Sequence, residues 1–174
     1  VLIHCVGMTA DDVHQAGLSR DGVQGFIWCP STNLYLLGKT LDIDLIENKA
    51  NINTLGLGSD SRLTADGDYL DEIRAAYRVM CTQNLEYPER LLHRMIVLEG
   101  AHLARVDALY GYLEPGAPAD WIAYPNGKEI YHLHRADLSL VVRGGIPQIG
   151  DPALMGKFPH IKTTEALLDG VPKL

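Results

Sequence analysis

Two residues of this 174-residue chain stand where parallel sheets place their chemistry. Asp60 follows Thr54-Leu55-Gly56-Leu57-Gly58-Ser59, whose leucines between glycines read as a buried strand with close backbone approach. The carboxylate arrives as the chain leaves the sheet, the edge at which barrels and open parallel sheets carry their reactive groups. A cap on a turn or on the next helix is the plainer role for an Asp after Gly-Ser. His4 sits in another apolar run, Val1 to Val6, where a lone histidine is commonly a satisfied core residue. Cys29-Pro30-Ser31-Thr32-Asn33 closes a third run and reads as a polar turn. There Asn33 either touches a substrate or holds the loop through a side-chain hydrogen bond. No base stands beside Cys29 in sequence, so it does not read as a nucleophile.

The other histidines are weaker candidates. His93 and His102 fall on helical segments, where a solvated or capping role suffices. His132 and His134 alternate with Tyr131 and Leu133 and are expected on one face of a strand, a pair that would need further ligands to hold a metal. The chain contains no P-loop, GxGxxG or GxSxG pattern.

The elements that must position His4 and Asp60 alternate. Val1–Val6, Val23–Cys29 and Thr54–Ser59 read as strands. Between them lie a helix after Thr9, with Asp11 and Asp12 in its first turn and Val13, Ala16 and Leu18 on its apolar side, and another carrying Leu41, Leu45 and Ile46. Gly22 breaks the first connection, and Asn51-Ile52-Asn53 leads into the third strand. Such alternation argues for parallel strands joined by crossovers. Tyr69, Leu70, Ile73, Ala76, Tyr77 and Met80 then recur at helical intervals, with Asp66 or Asp68 near the start. Pro88 opens another helix that ends near Gly100, with a short piece from Ala101 to Val106. After Tyr110 the chain turns to short strands: Trp121–Tyr124, then Leu138–Arg143 and Ile146–Ile149 joined through Gly144-Gly145. A helix is expected near Thr164–Leu168.

Composition is that of a globular chain, 47% hydrophobic and 21% charged. A net charge of −7 with dispersed Lys and Arg argues against nucleic acid and anionic membrane surfaces as partners. Three cysteines without CxxC spacing suggest neither a disulfide framework nor a thiolate zinc site, and fit a cytoplasmic setting. No apolar run approaches the roughly 20 residues that span a bilayer. The apolar opening Val1-Leu2-Ile3 reads as a start inside a core strand, hence a fragment.

Four stretches fall in a familiar order: His4-Cys5-Val6, Cys29-Pro30-Ser31-Thr32-Asn33-Leu34, Leu57-Gly58-Ser59-Asp60-Ser61, and Gly111 to Asp120 (GYLEPGAPAD). Through them the chain resembles the C-terminal half of the amidohydrolase superfamily, in particular its cytosine, guanine and adenosylhomocysteine deaminase and chlorohydrolase-like branch. The resemblance runs from residue 1 to about residue 150. It implies an α/β fold: the C-terminal part of a (β/α)8 TIM-type barrel, strands six to eight with their helices, plus strands of a small β-sandwich. The domains would then be 1–110 (barrel), 111–150 (sandwich segment) and 151–174 (C-terminal tail). The implied activity is metal-dependent hydrolysis or deamination of a C–N bond in a small cyclic or heteroaromatic substrate. Asp60 matches the aspartate that binds the catalytic metal, zinc in the first place and iron otherwise, and that shuttles a proton from the metal-activated water. His4 matches the histidine that contacts the substrate and helps polarise the group under attack; in two-metal relatives it is a metal ligand. Ser61 and Arg62 flank Asp60 and are assigned to substrate binding.

The chain departs from the family in lacking the strand-one HxH, the strand-five histidine and the nearby glutamate, and Ser59-Asp60-Ser61 replaces the commoner Thr-Asp-Gly. Three or more protein ligands are normally needed for a metal site, so this chain by itself is expected to be inactive. A half barrel would leave open strand edges, so the N-terminal half is expected as a partner: a separate chain, a further segment or a second copy. A homo-oligomer remains open. Two alternatives stand beside this reading: a non-catalytic truncated fragment or subunit, and a self-contained α/β binding domain in which His4 and Asp60 are unrelated and lie far apart.

Overall fold

The computed structural model describes residues 1–18, 23–49 and 54–174, with the backbone alone at 17–18 and 47–49. The expected break at Gly22, the Asn51–Asn53 lead-in and the side chain of Leu18 lie outside the described residues. The chain forms two units, Val1–Gly111 and Tyr112–Leu174.

In the first unit, β1 (Leu2–Ile3), β2 (Phe26–Trp28) and β3 (Leu55–Leu57) form a parallel sheet in the order β1-β2-β3. Phe26 sits opposite Leu2 and Leu55, and Ile27 opposite Ile3 and Gly56. Phe26, Trp28 and Leu55 are wholly buried, as in parallel strands covered on both faces. Gly56 sits at a close approach: a Cβ there would lie 2.8 Å from Leu103 Cδ1, so the leucine side chain would have to shift.

Helix α1 (Ala10–Leu18) follows β1, and Thr9 opens it with a reciprocal cap: Asp12 N–H donates to Thr9 Oγ1 at 3.3 Å, and Thr9 N–H to Asp12 Oδ2 at 2.8 Å. Helices α2 (Pro30–Leu37) and α3 (Ile43–Lys49) join β2 to β3. The Pro30–Asn33 stretch, expected as a turn, is instead the buried first turn of α2. Pro30 pre-sets the first helical φ, and the cap comes from a distant residue: Glu72 accepts the Ser31 N–H at 3.0 Å and the Ser31 hydroxyl. Gly38, at φ +66°, closes α2 in the left-handed region.

Helix α4 (Tyr69–Thr82) carries the expected apolar stripe, with Ile73, Ala76 and Met80 buried. Its cap is Asp68, whose carboxylate accepts from Leu70 and Asp71 N–H while Asp71 reciprocates. Helix α5 (Pro88–Arg94) does not stop near Gly100: it passes through a π-helical turn, Met95–Glu99, into α6 (Gly100–Leu103).

In the second unit, β4 (Trp121–Ala123), β5 (Leu140–Arg143) and β6 (Ile146–Gly150) form an antiparallel sheet, with Gly144 and Gly145 both at positive φ in the β5–β6 turn. Leu140, Val142 and Met155, the last on α7 (Pro152–Met155), form its core with Phe158 and Ile161. The helix expected near Thr164–Leu168 is a strand, β7 (Ala166–Leu168), paired with β8 (Val171–Lys173). Asp169-Gly170, both at positive φ, makes the two-residue hairpin turn that decides it. Residues 151–174 are tied into this unit, since Leu174 and Gly150 exchange backbone hydrogen bonds and buried Lys173 meets Asp151 at 2.5 Å. His132 and His134 do not share a strand face: His132 ends a 3-10 turn, Ile130–His132, and His134 precedes another, Arg135–Asp137. Burial of Leu133 between them and the Asp137 carboxylate on His134 N–H hold those turns.

Candidate active site

The site stands where β1 and β3 end. His4 N–H still donates to Ile27 O at 2.9 Å, as a ladder residue would. The backbone then leaves the sheet abruptly: His4 has φ +68°, Cys5 +52° and Asp60 +59°. Left-handed φ in non-glycine residues costs of order 1 kcal/mol each and persists where surroundings hold it, often at functional sites.

The outcome is a pairing across the sheet. His4 Nε2 lies 3.7 Å from Asp60 Oδ2, both side chains about one-third exposed (39% and 35%). The two strands that carry them are separated by β2. This spacing excludes the arrangement in which the two residues lie far apart. Behind His4, Asn33 Oδ1 is 2.8 Å from Nδ1, and Asn33 Nδ2 donates to Thr40 Oγ1 at 3.2 Å. Thr40 Oγ1 also accepts from Trp28 Nε1 at 2.7 Å. Asn33 thus holds the loop and the histidine together.

Near the pair lie groups whose pKa burial raises. The Cys29 thiol is pushed up to about 12 by burial first and by the charges of Asp60 and Glu72 next, which agrees with its not reading as a nucleophile. Tyr69, raised to about 12 chiefly by burial, donates to Leu57 O at 3.0 Å and pins the end of β3. Glu72 is wholly buried and its carboxyl is raised, burial outweighing the Ser31 hydrogen bonds that oppose it. Ser61 Oγ accepts from Leu63 N–H at 3.2 Å, making a turn just past Asp60, and Arg62 is exposed beside it. His93 is exposed on α5, and His102 pairs with Asp107 at 3.3 Å. A groove of about 610 Å³ lined by Leu34, Tyr35, Arg78 and Val79 runs between α2 and α4; neither His4 nor Asp60 lines it.

Glu72, Thr40 and Trp28 escape a sequence reading aimed at chemistry. Glu72 did leave a signal: it falls in step with Ala76 and Met80 on the buried side of α4, where a charge needs a partner.

No family model matches the chain, and no curated protein is similar enough to count as a match. Among solved structures, it is similar to the zinc-bound adenosine deaminase from Xanthomonas campestris, with TM-score 0.69 and 21% identity over 83% of this chain and 36% of that one. It is also similar to E. coli guanine deaminase (TM-score 0.64, 20% identity, 84% of this chain, 37% of that one). An amidohydrolase from Brucella melitensis gives TM-score 0.62 and 21% identity over 84% of this chain and 35% of that one. The fold of this chain is similar to part of the fold of these deaminases and of that amidohydrolase. The chain spans a little over a third of the length of these deaminases.

A zinc ion takes imidazole and carboxylate donors, the types that face each other here, but a closed site needs at least three protein ligands. Among the described residues no three His, Cys, Asp or Glu side chains gather to hold a metal. Two donors alone do not make such a site. Among the described residues no helix is long and apolar enough to cross a membrane.

Proposed function

We propose that the chain is the C-terminal portion of a metal-dependent hydrolase that cleaves or deaminates a C–N bond in a small cyclic or heteroaromatic substrate. In this reading β1, β2 and β3 are barrel strands six, seven and eight, and residues after Gly111 belong to an accessory β-sandwich. The observation that carries it is the 3.7 Å approach of His4 and Asp60 from strand ends two apart in a parallel sheet. The likeness in fold to adenosine and guanine deaminases supports the reaction class.

Asp60 is the proposed metal ligand, with zinc favoured over iron. A divalent metal held there supplies Lewis acidity and brings the pKa of water towards neutrality. Asp60 takes the proton from the attacking water and passes it to the leaving amine, work suited to a partly exposed carboxylate. His4 contacts the substrate beside the bond under attack and helps polarise it, while Ser61 and Arg62 line the mouth on the substrate's side. The remaining ligands come from further polypeptide, supplied in the same chain, a separate one or a second copy. The uncovered β1 edge favours such pairing, since Val1, Leu2 and Ile3 are 49%, 37% and 55% exposed. By itself the chain is inactive in this reading. The test is ammonia release from a panel of amino-substituted heterocycles by the assembled enzyme and its Asp60→Asn variant. Turnover abolished with folding intact supports the role; turnover retained removes it.

A further inference from the structure

Asp60 keeps a left-handed φ of +59° although its side chain is only partly buried. An unrestrained L-residue disfavours that conformation by about fivefold, so the surroundings must hold it. On the strand side the last fixed point is Gly58, whose N–H donates to Trp28 O at 2.8 Å. On the other side the chain is fixed at Ser61, whose carbonyl accepts from Thr64 N–H at 3.0 Å, Ala65 N–H at 2.9 Å and the Thr64 hydroxyl at 3.2 Å. Ser59 and Asp60 bridge the two points. Packing does not direct this turn, since Ser61, Arg62 and Leu63 are all exposed. Two neighbouring hydroxyls on the first turn of α2 do. Thr64 Oγ1 gives its single hydrogen to Ser61 O, so it accepts one from Thr32 Oγ1, 3.0 Å away. Asp66 N–H donates to Ser31 Oγ at 3.2 Å, and Glu72 holds Ser31 in turn through its N–H and its hydroxyl. Thr32 and Ser31 are 1% and 3% exposed, so water does not take their place.

We propose that Thr32, with Ser31 beside it, is a positioning residue for Asp60: its hydroxyl latches the Ser61–Thr64 turn to α2 and so keeps the Asp60 backbone left-handed and its carboxylate turned towards His4. The inference deepens the hydrolase reading and rests on its placing Asp60 at the reacting centre. Thr32 acts through Thr64 and the turn, not on the reacting atoms. Released from α2, the turn is free to move with Ser61 and Arg62, and Asp60 returns to ordinary backbone conformations that carry its carboxylate away from His4.

The test reads the Asp60 backbone directly and needs no turnover. At a left-handed φ an amide hydrogen lies close to the Hα of its own residue, so the cross-peak between them in a nuclear Overhauser spectrum is strong. Asn84 and Tyr87, at φ +55° and +57° and outside this turn, give the reference intensity. The unsubstituted protein is expected to match it at Asp60. Thr32→Val removes the hydroxyl and keeps the shape of the side chain; the left-handed population of Asp60 is expected to fall about fivefold, and the cross-peak to lose most of its intensity. Thr32→Ser keeps the hydroxyl and is expected to keep the cross-peak. A weak Asp60 cross-peak in the unsubstituted protein overturns the proposal, as does one that stays strong in Thr32→Val or is lost in Thr32→Ser. Should the valine variant fail to fold, Ser31→Ala decides in its place: a weakened Asp60 cross-peak supports the latch, and an unchanged one overturns it. Either refutation leaves the hydrolase reading standing, because that reading is decided by ammonia release and its loss in Asp60→Asn. Absence of ammonia release, conversely, removes that reading and leaves the latch to be decided by the spectrum.

Discussion

The carboxylate of Glu72 caps α2 from another helix, and removing it has a calculable cost. In Glu72→Ala the buried Ser31 N–H loses its acceptor, at about 1–3 kcal/mol for an unsatisfied buried group. The cavity left by the missing side chain adds roughly 1 kcal/mol, for a total of about 3 kcal/mol. Glu72→Gln keeps an oxygen for Ser31 N–H and turns its amide towards Ser31 Oγ, so it costs about 1 kcal/mol. Urea unfolding followed by the fluorescence of buried Trp28 separates them: at a slope of about 1.5 kcal/mol/M, the alanine midpoint falls by about 2 M and the glutamine midpoint by less than 1 M. The pH dependence adds a second, signed test. Burial raises the Glu72 carboxyl, so the folded protein holds its proton to higher pH than the unfolded chain does. Its contribution is fully present below the ordinary carboxylate value and is lost as pH rises through the raised one. Glu72→Gln cannot titrate, so its stability relative to the unsubstituted protein improves as pH rises from about 4.3. Equal midpoints for the two variants would refute the capping argument, and a gap between Glu72→Gln and the unsubstituted protein that stays flat with pH would refute the raised carboxyl.

Other consequences are open to simple assays. Thiol labelling at pH 8 should modify exposed Cys81 readily and Cys29 last, since burial and a pKa of about 12 leave Cys29 about one part in ten thousand thiolate. Gly25→Ala should destabilise the first unit by about 2–3 kcal/mol in the same urea assay, because its Cβ would lie 2.5 Å from the Thr54 carbonyl oxygen. Asp68→Ala should cost about 1 kcal/mol through loss of the α4 cap.

What was legible in the sequence was local. Helix α4 followed from Ile73, Ala76 and Met80 with Asp68 before them, and the β5–β6 hairpin from Gly144-Gly145. The convergence of His4 and Asp60 was the expectation of the barrel reading, whereas strand alternation alone left open that the two lie far apart. What was missed depends on long-range partners or on a signal given too little weight. Ser31 enters a helix because Glu72, 41 residues later, caps it. Helical structure runs on across Gly100 because a π turn at Met95–Glu99 absorbs the change in register that a 3.6-residue period does not foresee. Asp169-Gly170 between apolar neighbours carried the hairpin signal that an expected helix at Thr164–Leu168 overrode. The Trp28–Thr40–Asn33 brace joins residues of ordinary type and leaves no pattern in the sequence at all.

The measurement that bears most directly on the central claim is the metal content and intact mass of the assembly isolated from the cells that make it, beside its Asp60→Asn variant. The account predicts a mass larger than these 174 residues supply, about one divalent metal per Asp60, and loss of most of that metal in the variant. An assembly without metal, or one whose metal survives Asp60→Asn unchanged, would contradict it.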